Sequence, residues 1–63
     1  MMVPARELEA GRRIVVGRLT ALVERADLSV EWMRLECIAE TGQAIVWRLP
    51  PDAPVELADE LAS

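Results

Sequence analysis

Few side chains in this 63-residue sequence could carry out covalent chemistry. The chain contains one cysteine, Cys37, and no histidine, lysine or tyrosine. Ser29, Ser63 and Cys37 therefore lack a side chain of the usual general-base type that could activate them as nucleophiles. One cysteine without histidine also gives too few ligands for a structural zinc site. The composition predicts a protein that is not an enzyme and that binds neither a metal nor a cofactor.

The arginines are candidates for binding chemistry, because five of the seven lie in the first 25 residues. These five are Arg6, Arg12, Arg13, Arg18 and Arg25. No aromatic residue accompanies them to stack on bases, and the net charge of the chain is −4, which argues against nucleic acid as a partner. A nucleic-acid-associated regulator that uses this arginine-rich segment is one alternative function. Another is an acidic inhibitor, encoded by a phage or plasmid, that acts through residues 52–60.

Residues 30–49 show an alternation of apolar and charged side chains. Odd-numbered positions hold Met33, Leu35, Cys37, Ala39, Ile45, Trp47 and Leu49, whereas even-numbered positions hold Arg34, Glu36, Glu40 and Arg48. A period of two predicts a β-hairpin with strands at 30–39 and 44–49 and a turn between them. The predicted register sets Ala39 opposite Ile45, Cys37 opposite Trp47, Leu35 opposite Leu49, and Glu36 opposite Arg48.

The charged face of this hairpin is the candidate partner-binding site. It carries Trp32, Arg34, Ile38, Val46 and Arg48. Tryptophan and arginine are enriched among the residues that dominate protein–protein binding energies. This face therefore predicts a protein partner of unspecified identity.

The first part of the chain has a mixed pattern that favours a helix over residues 5–26. Apolar residues recur there at spacings of three, four and seven. Gly11, Gly17 and the β-branched run at 14–16 oppose a helix, and a strand at 12–20 is the competing interpretation. On the predicted helix, small residues at Ala10, Gly17 and Ala21, with Ile14 between them, form a possible dimer seam.

The fold class expected from these elements is α+β in a single domain, residues 1–63. A long N-terminal helix would pack on the hairpin, and a short helix at 53–62 would close the domain after the proline-rich segment at 50–54. Because so small a core barely offsets the entropy of ordering the chain, we expect a homodimer. The longest apolar run is far too short to cross a membrane and the N-terminus does not resemble a signal peptide, so we expect no membrane association and a cytoplasmic location. The function expected from the sequence is a small regulatory or protein-binding module.

Overall fold

The computed structural model describes residues 1–58, which form six β-strands and one 3₁₀ turn. The strands are β1 (Met2–Pro4), β2 (Arg13–Val16), β3 (Leu19–Leu28), β4 (Met33–Ala39), β5 (Ala44–Leu49) and β6 (Pro54–Glu56), and the 3₁₀ turn is Ala5–Glu7. An antiparallel sheet has the order β2-β3-β4-β5, and β1 pairs with β6 in a second, two-stranded sheet. None of the described residues is in an α-helix, so the predicted α+β class is wrong and the fold is mostly β.

The helix predicted for residues 5–26 is replaced by the 3₁₀ turn, β2 and most of β3. Val16 lies opposite Leu19, which leaves Gly17 and Arg18 as a two-residue turn. The φ of Gly17 is +63°, and no residue other than glycine has a positive φ in the described chain. A glycine in the first central position is the signature of a type II′ turn, whose twist suits a hairpin. The β-branched run that precedes Gly17 therefore belongs to a strand, as the competing interpretation proposed.

A β-bulge in β3 explains why the sequence resembled a helix there. Val23 lies opposite Cys37 and Arg25 lies opposite Glu36, so Glu24 is an additional residue in β3. The set of side chains that faces the core consequently changes from odd to even numbers, from Val23 to Ala26. Core-facing residues in a strand are normally two positions apart, whereas Val23 and Ala26 are three apart. A spacing of three is also found along one face of a helix, so the sequence resembled a helix here.

The predicted β-hairpin is present, although its register differs from the prediction by two residues. Leu35 lies opposite Trp47 and Cys37 lies opposite Ile45. The Gly42 amide donates to the Ala39 carbonyl at 2.8 Å, and the Ala39 amide donates to the Gln43 carbonyl at 2.8 Å. With φ of +92° at Gly42, this is a three-residue turn with a glycine bulge, which is tighter than the predicted loop of five residues. The separation of the two faces is unaffected, because a shift of two residues preserves it.

The expected cross-strand ion pair between Glu36 and Arg48 is absent as a result of the altered register. Glu36 lies opposite Val46, and Arg48 lies opposite Arg34. Glu36 instead forms an ion pair with Arg34, two residues away on the same strand.

The core lies between the four-stranded sheet and a cover made by β1, the 3₁₀ turn and β6. Its largest fully buried side chains are Ile14, Leu35, Val23, Val55 and Cys37. The segment after β6 joins the cover to the edge of the larger sheet, since the Ala58 amide donates to the Arg13 carbonyl at 2.8 Å. Within the cover, the Leu57 amide donates to the Met1 carbonyl at 2.8 Å. Residues 54–56 are therefore extended, and the predicted helix at 53–62 is wrong as far as residue 58. The rest of that prediction lies outside the described residues.

Truncation of Leu35, whose exposed fraction is 0%, should strongly destabilise the fold. We expect Leu35→Ala to lower the free energy of unfolding by about 2–5 kcal/mol, because it removes buried methyl groups and leaves a cavity. Leu28→Ala is the matched control, since Leu28 is 59% exposed. It should cost less than about 1 kcal/mol. Urea denaturation of the two variants measures the difference, and equal midpoints would show that Leu35 is not a core residue.

Candidate protein-binding surface

The side of the four-stranded sheet that points away from the core is here named the outer face. In β4 and β5 it consists of the even-numbered positions. Across these strands Arg34 lies opposite Arg48, Glu36 opposite Val46, and Ile38 opposite Ala44. Four of the five predicted binding residues, Arg34, Ile38, Val46 and Arg48, therefore share this face, and Trp32 immediately precedes β4 at one end of it.

A recess of about 230 Å³ lies at this end of the outer face, and we name it the Trp32 recess. It is lined by Asp27, Leu28, Ser29, Trp32, Arg34 and Arg48. The structure thus brings together three of the predicted residues, Trp32, Arg34 and Arg48. Ile38 lies further along the sheet in a separate groove of about 410 Å³ between β3 and β4, and Val46 lines neither depression.

The loop between β3 and β4 fixes the position of Trp32 at the rim of the recess. The Ser29 amide donates to the Trp32 carbonyl at 2.8 Å, and the Ser29 hydroxyl accepts a hydrogen bond from the Trp32 amide at 3.2 Å. The Ser29 hydroxyl also lies 3.1 Å from the Trp32 carbonyl. These contacts order the backbone, while the Trp32 residue keeps half of its surface (50%) exposed. A large aromatic residue is thus held at a defined position with half of its surface open to solvent.

Among residues 1–58, the charges around the Trp32 recess leave one arginine without an ion-pair partner. Arg25 is paired with Asp27 at 3.1 Å, and Arg34 is paired with Glu36. Arg48 forms no ion pair with any residue in 1–58. Like charges directly opposite each other are unfavourable in a sheet, and Arg34 faces Arg48.

Sequence reasoning missed the contribution of β3 to this recess. Residues 27–29 belong to none of the predicted elements, because the predicted helix ends at residue 26 and the first predicted strand begins at residue 30. The available signal was the pair of opposite charges at Asp27 and Arg34, which lie directly across from each other in the observed register. That pairing follows only if residues 19–28 form a strand containing the bulge.

The predicted dimer seam does not exist as a surface stripe, because the helix that would carry it is absent from residues 1–58. Ile14 and Ala21 lie opposite each other on β2 and β3 and are buried in the core. Gly17 is in the tight turn, and Ala10 is in the exposed segment before β2. The four residues therefore share no accessible surface.

The comparisons and the described residues offer no further assignment. The chain matches no protein-family model, no curated protein and no solved structure. The described part of the chain contains no group of three potential metal ligands and no helix able to cross a membrane.

Cys37, the one thiol of the sequence, is buried on the core face of β4. Burial raises the pKa of the Cys37 thiol above its ordinary value of 9.0, and the carboxylate of Glu24 raises it further. The protonated thiol is thus favoured in the folded state, and little of the reactive thiolate form is present at neutral pH.

This elevated pKa predicts that the fold loses stability at alkaline pH. The contribution is fully present below pH 9.0, the ordinary thiol pKa, and it declines as the pH rises through that value because the unfolded chain then loses its proton first. The sequence has no lysine or tyrosine, so no other side chain titrates in this range. Urea denaturation between pH 8 and 11 should show a falling free energy of unfolding for the natural protein and a flat profile for Cys37→Ala. The same slope in both proteins would contradict the assignment.

Proposed function

We propose that this protein is a small, non-enzymatic protein-binding module that recognises its partner through the outer face of the sheet. The observation that carries the proposal is the convergence of Trp32, Arg34 and Arg48 on one recess. These residues come from the β3–β4 loop and from two different strands, so the recess exists only in the folded protein.

The recess offers a ligand both exposed apolar area and an available positive charge. Trp32 supplies exposed apolar area, since half of its surface remains exposed. Burial of such area against a partner is favourable by about 25 cal/mol per Å². Arg48 supplies a guanidinium that has no acidic neighbour bound to it among residues 1–58. An apolar anchor beside an available arginine is the usual composition of an energetically dominant contact.

The chemistry of the recess favours a partner segment that has a carboxylate next to an apolar side chain. The carboxylate would pair with Arg48 in the fork geometry that arginine provides. The apolar group would contact Trp32. Asp27 and Glu36 are already engaged by Arg25 and Arg34, so they do not compete for Arg48.

The arginine-rich first segment does not support nucleic-acid binding in the manner expected from the sequence. A helix that could lie along phosphates is absent from residues 1–58, Arg6 is engaged by Asp52, and Arg25 is engaged by Asp27. Asp52 is thereby also engaged within the acidic segment at 52–60, and Glu56 belongs to β6. No observation favours either alternative function over the protein-binding module.

Binding should depend on the Trp32 recess rather than on the surface in general. We expect Trp32→Ala and Arg48→Glu each to weaken binding to the physiological partner by about 30-fold, equivalent to ~2 kcal/mol. Val30→Ala is the matched control, because Val30 is 97% exposed, lies in the same loop and does not line the recess.

The experiment compares partners retained by the natural protein and by the two recess variants, and then measures Kd with the purified partner by calorimetry. A partner whose affinity is unchanged by Trp32→Ala and Arg48→Glu would contradict the proposal. Binding to a DNA duplex at low salt that falls steeply as salt is added would instead support the nucleic-acid alternative.

A further inference from the structure

The two edges of the four-stranded sheet differ in whether another segment of the described chain pairs with them. At one edge, β2 is joined by the segment that follows β6, through the bridge between Ile14 and Leu57. At the other edge, β5 pairs only with β4 among residues 1–58. The edge of β5 therefore presents backbone donors and acceptors to the solvent.

The hairpin turn determines which residues of β5 present those groups. The hydrogen bond from the Ala39 amide to the Gln43 carbonyl fixes the start of the ladder between β4 and β5. Because pairs alternate along an antiparallel ladder, Ile45, Trp47 and Leu49 bond to β4. Ala44, Val46 and Arg48 then direct their amides and carbonyls outward.

β5 lacks most of the features that prevent edge strands from pairing with another chain. It is six residues long, its pairing with β4 shows no bulge, it contains no proline and it carries a single charge, Arg48. Its core-facing side chains Ile45 and Trp47 are only partly buried, in contrast to Leu35 and Cys37 on β4. A strand added beside β5 would cover the exposed parts of Ile45 and Trp47.

We propose that β5 pairs antiparallel with β5 of a second copy of this chain, so that the two four-stranded sheets join into one sheet of eight strands. A second copy suits this edge because the outward amides and carbonyls of its Ala44, Val46 and Arg48 can pair with those of the same three residues in the first copy. A two-fold axis at Val46 sets Val46 opposite Val46 of the second copy and Ala44 opposite its Arg48. All three outward residues then form hydrogen bonds.

Neighbouring registers are less favourable for identifiable reasons. A shift of two residues in one direction sets Ala44 opposite Pro50, which has no amide hydrogen to donate. A shift in the other direction sets Arg48 opposite Gly42, which lies in the turn and whose amide already donates to Ala39.

Charge favours the same register. The register with Val46 at the two-fold axis sets the two copies of Arg48 four residues apart along the strand direction, or about 14 Å at the spacing of a β-strand. Arg48 then faces the uncharged Ala44 of the second copy across the seam. Within the second copy, Glu36 lies beside Val46 on the side away from the seam. A register that sets Arg48 opposite its own copy would place like charges in direct contact.

This interface is separate from the Trp32 recess, although both involve Arg48. Pairing uses the backbone of Arg48, whereas the proposed partner contact uses its guanidinium on the outer face. The two proposals can therefore fail independently: Trp32→Ala should leave the dimer intact, and disruption of the dimer should leave the recess intact.

Disulfide trapping tests both the interface and its register. Directly paired residues of this kind have Cα atoms about 5.5 Å apart, which is within the range of a disulfide. Val46→Cys should therefore yield a covalent dimer under mild oxidation. Ala44→Cys is the matched control, since it is also exposed on β5 but would lie about 14 Å from its own copy. Cys37 does not interfere, because it is buried in the core.

Crosslinking of Val46→Cys and not of Ala44→Cys is the expected result. Equal crosslinking of the two variants would indicate random collision and would overturn the proposal, as would the absence of crosslinking in both.

Sedimentation equilibrium provides a measurement without an introduced thiol. The natural protein should have twice its monomer mass of 7.0 kDa at high micromolar concentration. Val46→Lys should sediment as a monomer, because two lysines would meet at the axis, while its circular dichroism spectrum should remain that of the natural protein, since Val46 is 57% exposed. A monomeric natural protein, or a dimeric Val46→Lys variant, would overturn the proposal.

Discussion

The structure depends on covering one apolar face of a four-stranded sheet without a helix. A sheet of this size exposes a row of aliphatic side chains on one side, and that side must be removed from water for the fold to be stable. Here the cover consists of two three-residue strands and a 3₁₀ turn, which contribute Ala5, Val55 and neighbouring apolar residues to the core. A backbone hydrogen bond from Ala58, after β6, to Arg13 holds this cover against β2. Few contacts are available for the task, so each buried side chain carries a substantial share of the stability.

The candidate binding surface depends on the same division of the sheet into two faces. The bulge at Glu24 determines which residues of β3 lie on each face, since it directs both Val23 and Ala26 to the core and leaves Asp27 on the outer face opposite Arg34. Without the additional residue, Asp27 would point into the core and Ala26 would face solvent. A carboxylate in the core would carry a large desolvation cost. The bulge is therefore needed both for a fully apolar core and for the Trp32 recess.

The sequence predicted the second half of this fold better than the first. In the two strands between Met33 and Leu49 every odd-numbered position is apolar and every charged residue is at an even-numbered position, which correctly indicated two strands and the membership of their two faces. It also identified three residues of the recess, since a tryptophan and two arginines on the charged face of a hairpin are conspicuous. The register was wrong because the prediction was made from side chains alone, whereas Gly42 allowed a tighter turn through its positive φ.

The prediction was wrong in the first half of the chain because two features break the period of two there. These are the turn at residues 17–18 and the bulge at residue 24. The cover of the core could not be foreseen either. Two strands of three residues are too short to show any periodicity.

The pairing of β1 with β6 connects Val3 to Val55, residues that are more than fifty positions apart. Every other pairing between named strands joins neighbours in the chain across a loop of two to four residues, which costs little loop-closure entropy. We expect the meander of β2 to β5 to assemble early during folding and the two chain ends to meet only afterwards. The order is reversed on unfolding, so that the first opening leaves a meander whose aliphatic side is exposed. A transient species of that kind is prone to aggregation, and the rate at which the chain ends separate would then set the lifetime of the protein in solution.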